Sequence, residues 1–433
     1  MPLILNKIDQ CHFTGPGGIF IPFIVQWSER SPTGRSSKDH SIISKEDPSL
    51  PKVISLKCNQ YDLEAVKHKL ETGLTALGGI HSLIPSGSHV FLKINLLTGR
   101  KPEEAVTTHP VVVQAMAAIL VRAGMRVTVG DSPGGPFLPG RMKQIYRITG
   151  IQKASEAAGA AVNEEMESVM VSHTDAYRLK KFEFLKGIAD ADYVISLCKM
   201  KTHSMTLMTG AVKNLFGVMP GLTKAALHFR FPKLEDFAHA MVDICEYTQP
   251  VLSVMDGIEA MEGAGPSAGT VTKAQVLLMS TNPHALDLAA CRWMGIRPAE
   301  VPLLRVAEQR GLCDLSGSDL EWEGTAPTEV TPFKTPHIHE PDFLERYHQL
   351  PVAGPILQRF SRQYLRPKPQ VLSEICIGCR ECQVICPAEA VTMNHDHPDF
   401  ILSKCIRCFC CQEICPAKAI VIQRSPLLRY FHP

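Results

Sequence analysis

Two copies of one cysteine pattern constrain the C-terminal end of this chain more tightly than any other feature. Cys376, Cys379, Cys382 and Cys386 follow C-x2-C-x2-C-x3-C-P, and Cys405, Cys408, Cys411 and Cys415 repeat it, with Pro387 and Pro416 closing each run. The offset is 29 residues throughout, and ten of the 16 positions that start at Cys376 and at Cys405 are identical, so the repeat is an internal duplication. Nine of the 15 cysteines fall between Cys376 and Cys415, which marks this stretch as a cysteine-ligand module. Three thiolates spaced two residues apart can wrap three corners of one iron–sulfur cubane, while a fourth after a longer gap points elsewhere. Thiolates also suit zinc, and a pair of structural zinc sites is the competing assignment. The x3-C-P continuation is unusual for zinc and favours iron and sulfide. Cys410 would break both the x2 and x3 gaps as a ligand, and is expected to be a small buried thiol.

The tandem motif resembles the bacterial two-cluster ferredoxins. That resemblance implies two 4Fe-4S clusters, with the fourth cysteine of each run serving the other cluster. It assigns Cys376, Cys379, Cys382 and Cys415 to one cluster, and Cys405, Cys408, Cys411 and Cys386 to the second. The segments after the first motif are predicted to pair as a hairpin about Asn394 to Asp399. Two clusters in one small module imply single-electron transfer along a short relay. Such clusters need a reducing compartment, so a cytoplasmic location is expected.

The remainder is long enough for a large domain. With 433 residues, 45 % of them hydrophobic, and a formal charge of +2, the chain fits one large domain plus a smaller one. The balanced charge gives no general reason to expect nucleic acid as a partner. Gly18 to Trp27 is the longest apolar stretch near the start; it is too short to span a bilayer and lacks the flanks of a secretion signal, so neither a membrane span nor a signal is expected.

Residues 1–51 show no sustained period and read as a poorly structured N-terminal extension. From Val53 onward, short apolar strands alternate with helical runs. Strands are predicted at Val53–Leu56, His89–Ile94, Arg126–Gly130, Tyr193–Leu197, Val251–Met255 and Gln275–Met279. Helices are predicted on the Leu63, Val66, Leu70, Leu74 and Leu77 face, over Val111–Ala123, around Leu234–Tyr247 and over 283–294. This alternation predicts an α/β domain over 53–315, a mainly parallel sheet covered by helices, followed by a small α+β two-cluster ferredoxin-like domain over 371–424. A proline-rich connector, 316–370, is expected between them, and 425–433 forms a C-terminal tail.

Several polar clusters follow predicted strands, where α/β domains place their sites. Lys93-Ile94-Asn95 and the glycine-rich loop at Asp131 are two. The third is Lys199-Met-Lys201-Thr-His203, with Lys213-Asn214 shortly after. Lysines and a histidine near a strand end can hold a carboxylate or phosphate and move a proton, so Lys201, His203 and Lys213 are candidate catalytic residues. A solvated basic loop is the plainer alternative. Lys93, Asn95, Asp131, Asp256 and Glu262 are candidate lining residues of a ligand pocket; the two last can complement the lysines, bind a metal, or merely shape a loop. His109 and His284, each beside a proline, read as helix-start residues.

From Val53 to Leu312 the chain resembles the proteins grouped as domain of unknown function 362, many of which end in a ferredoxin module. The resemblance rests on Lys93-Ile-Asn95, Thr108-His109-Pro110, Gly130-Asp131, Lys199 through Gly217, Asp256-Gly257, Glu262-Gly263, Gly265-Pro266 and Asn282-Pro283 with Asp287. It implies the domain layout and the iron–sulfur assignment, and it supplies no substrate. The leading expectation is an iron–sulfur redox protein, an oxidoreductase if it turns over a substrate, whose clusters exchange electrons with a redox partner protein and with a small anionic ligand in the α/β domain. The alternative is a ferredoxin-like electron carrier or accessory protein that docks on a partner oxidoreductase.

Overall fold

The structure is a computed structural model, and it describes residues 50–325, 327, 332–336 and 366–423. The expected N-terminal extension up to residue 49, most of the expected connector and the C-terminal tail lie outside the described residues.

The large sheet is built from β1 (Lys52–Lys57), β2 (His89–Ile94), β3 (Arg126–Gly130), β4 (Ala161–Val162), β7 (Tyr193–His203), β9 (Leu252–Glu262), β11 (Val276–Ser280) and β12 (Glu321–Gly324), with β8 (Leu207–Thr209) and β10 (Thr270–Thr272) paired to β7 and β9 off this path. Their order is β12-β1-β11-β9-β7-β2-β3-β4. The run β9-β7-β2-β3-β4 is parallel throughout, whereas β11 pairs antiparallel with both β1 and β9. A mainly parallel sheet needs cover on both faces, and its central strands are accordingly buried residue after residue. A hairpin of β5 (Ser168–Ser172) and β6 (Lys181–Leu185) stands outside the sheet.

The helices form where the apolar spacing places them. In the helix Leu63–Ala76, Val66, Leu70, Gly73 and Leu74 are buried at intervals of three and four, and the Asp62 side chain accepts the Ala65 N–H at its start. The helix Pro110–Arg122 begins with His109, whose Nδ1 accepts the Val111 N–H. Both pack on the face of the sheet carrying Ile54, Leu92, Leu197 and Val254. On another face, Leu234–Thr248 covers Phe91, Val194 and Phe184.

Two strands run longer than the sequence pattern indicates. β7 continues beyond Leu197 to His203, and β9 continues beyond Met255 to Glu262. Lys199 lies opposite Asp256 across the β7/β9 ladder, and Lys201 pairs with Thr209 of β8 (Leu207–Thr209). The polar residues therefore sit on buried strand, not on a loop after it. Charge ends a strand only when it must reach water; here cross-strand partners and carbonyls receive it.

The C-terminal part consists of two small antiparallel pairs, β13 (Lys368–Val371) with β16 (Ile420–Gln423) and β14 (Val391–Asn394) with β15 (His397–Phe400), and two helical turns, Glu381–Val384 and Cys410–Ile414. The duplication is visible in the backbone. Gly378 and Arg407 have φ of 64° and 61°, Arg380 and Phe409 have 62° and 60°, and Glu389 and Lys418 have 48° and 55°, each pair 29 residues apart. This part packs on the α/β part through Ile385, Cys410 and Ile414 against Ala225. Arg141–Glu381 at 2.8 Å, Lys418–Glu104 at 3.0 Å and a bond from Arg100 Nη2 to the Cys415 carbonyl at 2.8 Å ring that contact.

Candidate functional site

At the C-terminal ends of β2 and β3, Lys93 and Asp131 form a buried ion pair at 2.8 Å. Lys93 Nζ also donates to the carbonyls of Ile94 and Asn214, and the Asp131 carboxylate accepts the N–H groups of Leu96 and Ser132. Burying two charges is tolerable only with such complete hydrogen bonding. Asn95 donates to Asn214 Oδ1 at 3.1 Å, and Asn214 donates to Ser196 Oγ at 2.9 Å, which locks the loop after β2 to the helical turn Ala211–Asn214. Gly217 is required here: a Cβ would collide with the Asp131 carboxylate and stand 2.7 Å from Lys93 Nζ.

Beside this pair lies a cavity of about 90 Å³. Asn95, Asp131, Lys201, His203 and Lys213 all border it. Lys201 Nζ donates to the Val106 carbonyl at 2.6 Å, and burial pushes its ammonium down to about 7. Lys213 is 9 % exposed and faces the rings of Phe216 at 4.4 Å and Phe237 at 5.7 Å; its Nζ has no hydrogen-bond acceptor among the described residues. His203 Nδ1 accepts the N–H groups of Met205 and Thr206, which assigns the ring proton to Nε2, 3.4 Å from Glu413 Oε1. Burial holds this imidazole well below its usual value, so it is neutral.

Three bordering residues were not indicated by the sequence pattern: Lys224, His228 and Glu413. Lys224 and His228 are four apart on the helix Gly221–Arg230 and share its cavity-facing side. Lys224 Nζ donates to the carbonyls of Ser132 and Pro133, and burial lowers it to about 7. His228 stacks on Phe237 and is brought down to about 3 by burial. Glu413 comes from the cysteine module, together with Ile385, Cys410 and Ile414, and these four close the cavity from that side. Burial raises the Glu413 carboxyl.

Asp256 and Glu262 stand apart from this cavity. Asp256 pairs with Lys199 at 2.8 Å, accepts from Tyr61 Oη at 2.9 Å and accepts the His109 N–H at 3.0 Å; Tyr61 and His109 stack with ring centroids 3.5 Å apart. Glu262 accepts the Lys334 N–H at 2.9 Å and so ties β9 to the segment 332–336.

The cysteines fall into two groups. Cys376, Cys379, Cys382 and Cys415 border one small cavity, and Cys386, Cys405, Cys408 and Cys411 border another. The N–H groups of Ala390 and Ala419 point at Cys386 Sγ and Cys415 Sγ, both at 3.3 Å, again 29 residues apart. None of the described cysteines is in a disulfide. Four thiols around each space, with backbone donors aimed at sulfur, fit a thiolate-bound iron–sulfur group. Cys410 belongs to neither set of four, yet borders both the second of these cavities and the lysine cavity.

Residues 90–292 match the model described as domain of unknown function (DUF362), and residues 368–416 match a 4Fe-4S dicluster domain. A thylakoid-associated protein of Synechocystis sp. is 32 % identical over 289 residues, which is 66 % of this chain and 88 % of that protein. The chain belongs to the DUF362 family and carries an iron–sulfur-binding domain at its C-terminal end. Among solved structures, the lactate racemase apoprotein of Thermoanaerobacterium thermosaccharolyticum is 11 % identical with a TM-score of 0.37; the match spans 57 % of either chain, a likeness too slight to bear on the site. No helix among the described residues is long and apolar enough to cross a membrane.

Proposed function

We propose that this protein transfers electrons between two 4Fe-4S clusters held by its C-terminal domain, residues 371–424, and a small anionic ligand bound in the α/β domain, residues 53–315. Cys376, Cys379, Cys382 and Cys415 hold one cluster, and Cys405, Cys408, Cys411 and Cys386 the other. Each cluster, when bound, supplies one-electron chemistry. A single observation carries the reading: the cavity bearing Lys201, His203 and Lys213 is closed by residues of the cysteine module itself, Cys410 and Glu413 among them. A domain that served only as a docking body would need no enclosed cavity between its lysines and its electron carrier.

In this reading Lys201 and Lys213 bind the anion's oxygens, and Lys93, paired with Asp131, holds the loop bearing Asn95 in place. His203 offers an Nε2 proton toward Glu413, so a proton can pass between the two beside the ligand. Ile385 and Ile414 keep water from the cavity wall. Electrons are exchanged with a redox partner protein outside, in a reducing compartment such as the cytoplasm. Exposed Ile375, Ile377 and Val384, in the same cysteine run as the exposed Cys379, favour such docking, and they also support the second reading, an accessory carrier acting only on a partner oxidoreductase.

Anaerobic isolation followed by iron, sulfide and small-molecule analysis tests the proposal. The expected result is about eight iron and eight sulfide per chain, as two cubanes require, together with a retained anion that Lys213→Met releases. Full cluster content with no retained or bindable small molecule, and stoichiometric co-purification of an oxidoreductase, would favour the carrier reading instead.

A further inference from the structure

The charges around the cavity define the ligand more narrowly, and the cysteine geometry defines which cluster it meets; both steps rest on the function proposed above. Lys93 is matched by Asp131. Lys201, Lys213 and Lys224 then share one remaining carboxylate, Glu413, while His203 and His228 are neutral. With all three lysines protonated, two ammonium groups are left without a counter-charge in an enclosed space, a costly arrangement for a protein that holds nothing there. Lys213 is the clearest case, 9 % exposed and set against two aromatic rings, with no hydrogen-bond acceptor for its Nζ among the described residues.

The two cysteine sets are not equivalent with respect to this space. Cys410 borders both the lysine cavity and the cavity of Cys386, Cys405, Cys408 and Cys411. Cys408 packs in the same apolar contact as Cys410, Ile385, Ile414 and Ala225. None of Cys376, Cys379, Cys382 and Cys415 borders the lysine cavity, Cys379 is exposed, and the adjacent Ile377 is 67 % exposed.

We infer that the cavity takes a small organic molecule carrying an oxyanion charge of minus two, a dicarboxylate or a phosphate monoester, seated among Lys201, Lys213 and Lys224; inorganic phosphate, which takes no electron, serves only as a probe of the phosphate group. Its electron-transfer neighbour is the cluster of Cys386, Cys405, Cys408 and Cys411, with the cluster of Cys376, Cys379, Cys382 and Cys415 as the outer station. The lysines have one competing duty, to balance the negative charge of a thiolate-bound cluster, and that duty requires no dianion.

The test uses the full chain loaded anaerobically with iron and sulfide, titrated with inorganic phosphate, with succinate and with acetate while the paramagnetic resonance spectrum of the reduced protein is followed. Ile377→Lys, a substitution at an exposed position, marks the outer cluster by moving its signal. Phosphate or succinate is expected to bind at least about tenfold more tightly than acetate, as two ammonium–oxyanion contacts imply, and to shift only the signal that Ile377→Lys leaves alone. Which of the two binds identifies the oxyanion class. Lys213→Met is expected to weaken binding about tenfold, with Lys224→Met as a second variant. Equal binding of acetate overturns the dianion assignment, and a shift confined to the Ile377-sensitive signal overturns the inner and outer assignment. If no anion binds while two reducible clusters are present, the lysines serve cluster charge alone, and the ligand-coupled function falls with the inference.

Discussion

Five lysines in one domain, four of them buried and Lys224 half-buried, raise the question of what each ammonium is for, and their partners separate them into two kinds. Lys93 and Lys199 face carboxylates at 2.8 Å, whereas Lys201 and Lys224 meet only carbonyls and Lys213 only rings. Removing a structural partner strands a buried charge, so Lys93→Met and Asp256→Ala are each expected to lower unfolding free energy by about 3–5 kcal/mol in denaturant titrations. Lys213→Met relieves an unpaired ammonium, so stability is expected to hold or rise while anion affinity falls. A loss of several kcal/mol in Lys213→Met would show that this lysine is structural after all. The same environment sets a pH dependence. Lys201 and Lys224, brought down to about 7 by burial, carry charge below that value and lose it above; Lys93, Lys199, Lys213, Asp131 and Glu413 are the charged neighbours that act on one or both of them. Affinity for succinate, whose own charge changes little above pH 6.5, is therefore expected, by calorimetry, to fall as pH rises from 6.5 through about 7. An affinity flat from pH 6.5 to 8.5 would contradict this.

Among elements, the helix Gly221–Arg230 and the duplicated helical turn at Cys410–Ile414 build two of the cavity's walls. Gly221 approaches the Pro133 and Gly135 carbonyls too closely for any side chain, a Cβ standing 2.7 Å from the first. Gly221→Ala is expected to push this helix and Lys224 away from the loop at 133–135, weakening anion binding more than it lowers the melting temperature; unchanged affinity in a folded variant would argue against that placement. Much of the scaffold was legible in advance, because β2, β3 and β11 are short runs rich in apolar residues and the helices from Leu63, Pro110, Leu234 and Pro283 carry a 3.6-residue period. The ends of β7 and β9 were not, since cross-strand partners for Lys199 and Lys201 cannot be seen in a linear pattern. Lys201, His203, Lys213, Asn95 and Asp131 were legible as polar interruptions near strand ends, and the structure places them on one cavity; Asp256 and Glu262 looked alike in sequence but lie elsewhere. Glu413 carries one signal in the sequence. It replaces Val384 in the 29-residue repeat, just as Cys410 replaces Glu381 and Lys418 replaces Glu389. Those departures fall where the second repeat meets the α/β part, at the cavity and at Glu104.

Across the whole molecule, the cysteine module is both wall and electron path, so its integrity and the cavity's are linked. Its apolar core consists largely of cysteines with Val391, Ala419 and Ile420, and a part so small depends on its metal group to stay folded. Anaerobic chelation of iron is expected to expose residues 366–423 to proteolysis while residues 53–315 stay resistant, and to abolish anion binding together with the lost wall; simultaneous digestion of both parts would contradict this separation. The central claim, that the lysine cavity and the inner cluster are electrical neighbours, is tested most directly by the midpoint potentials of the two clusters in the wild type and in a Lys201→Met, Lys213→Met variant, measured at pH 6.5 where the lysines carry charge. Removing positive charge beside a cluster disfavours the added electron, so one potential is expected to fall by on the order of tens of millivolts while the other holds. Two potentials unchanged within error, in a folded protein with full iron content, would contradict the account.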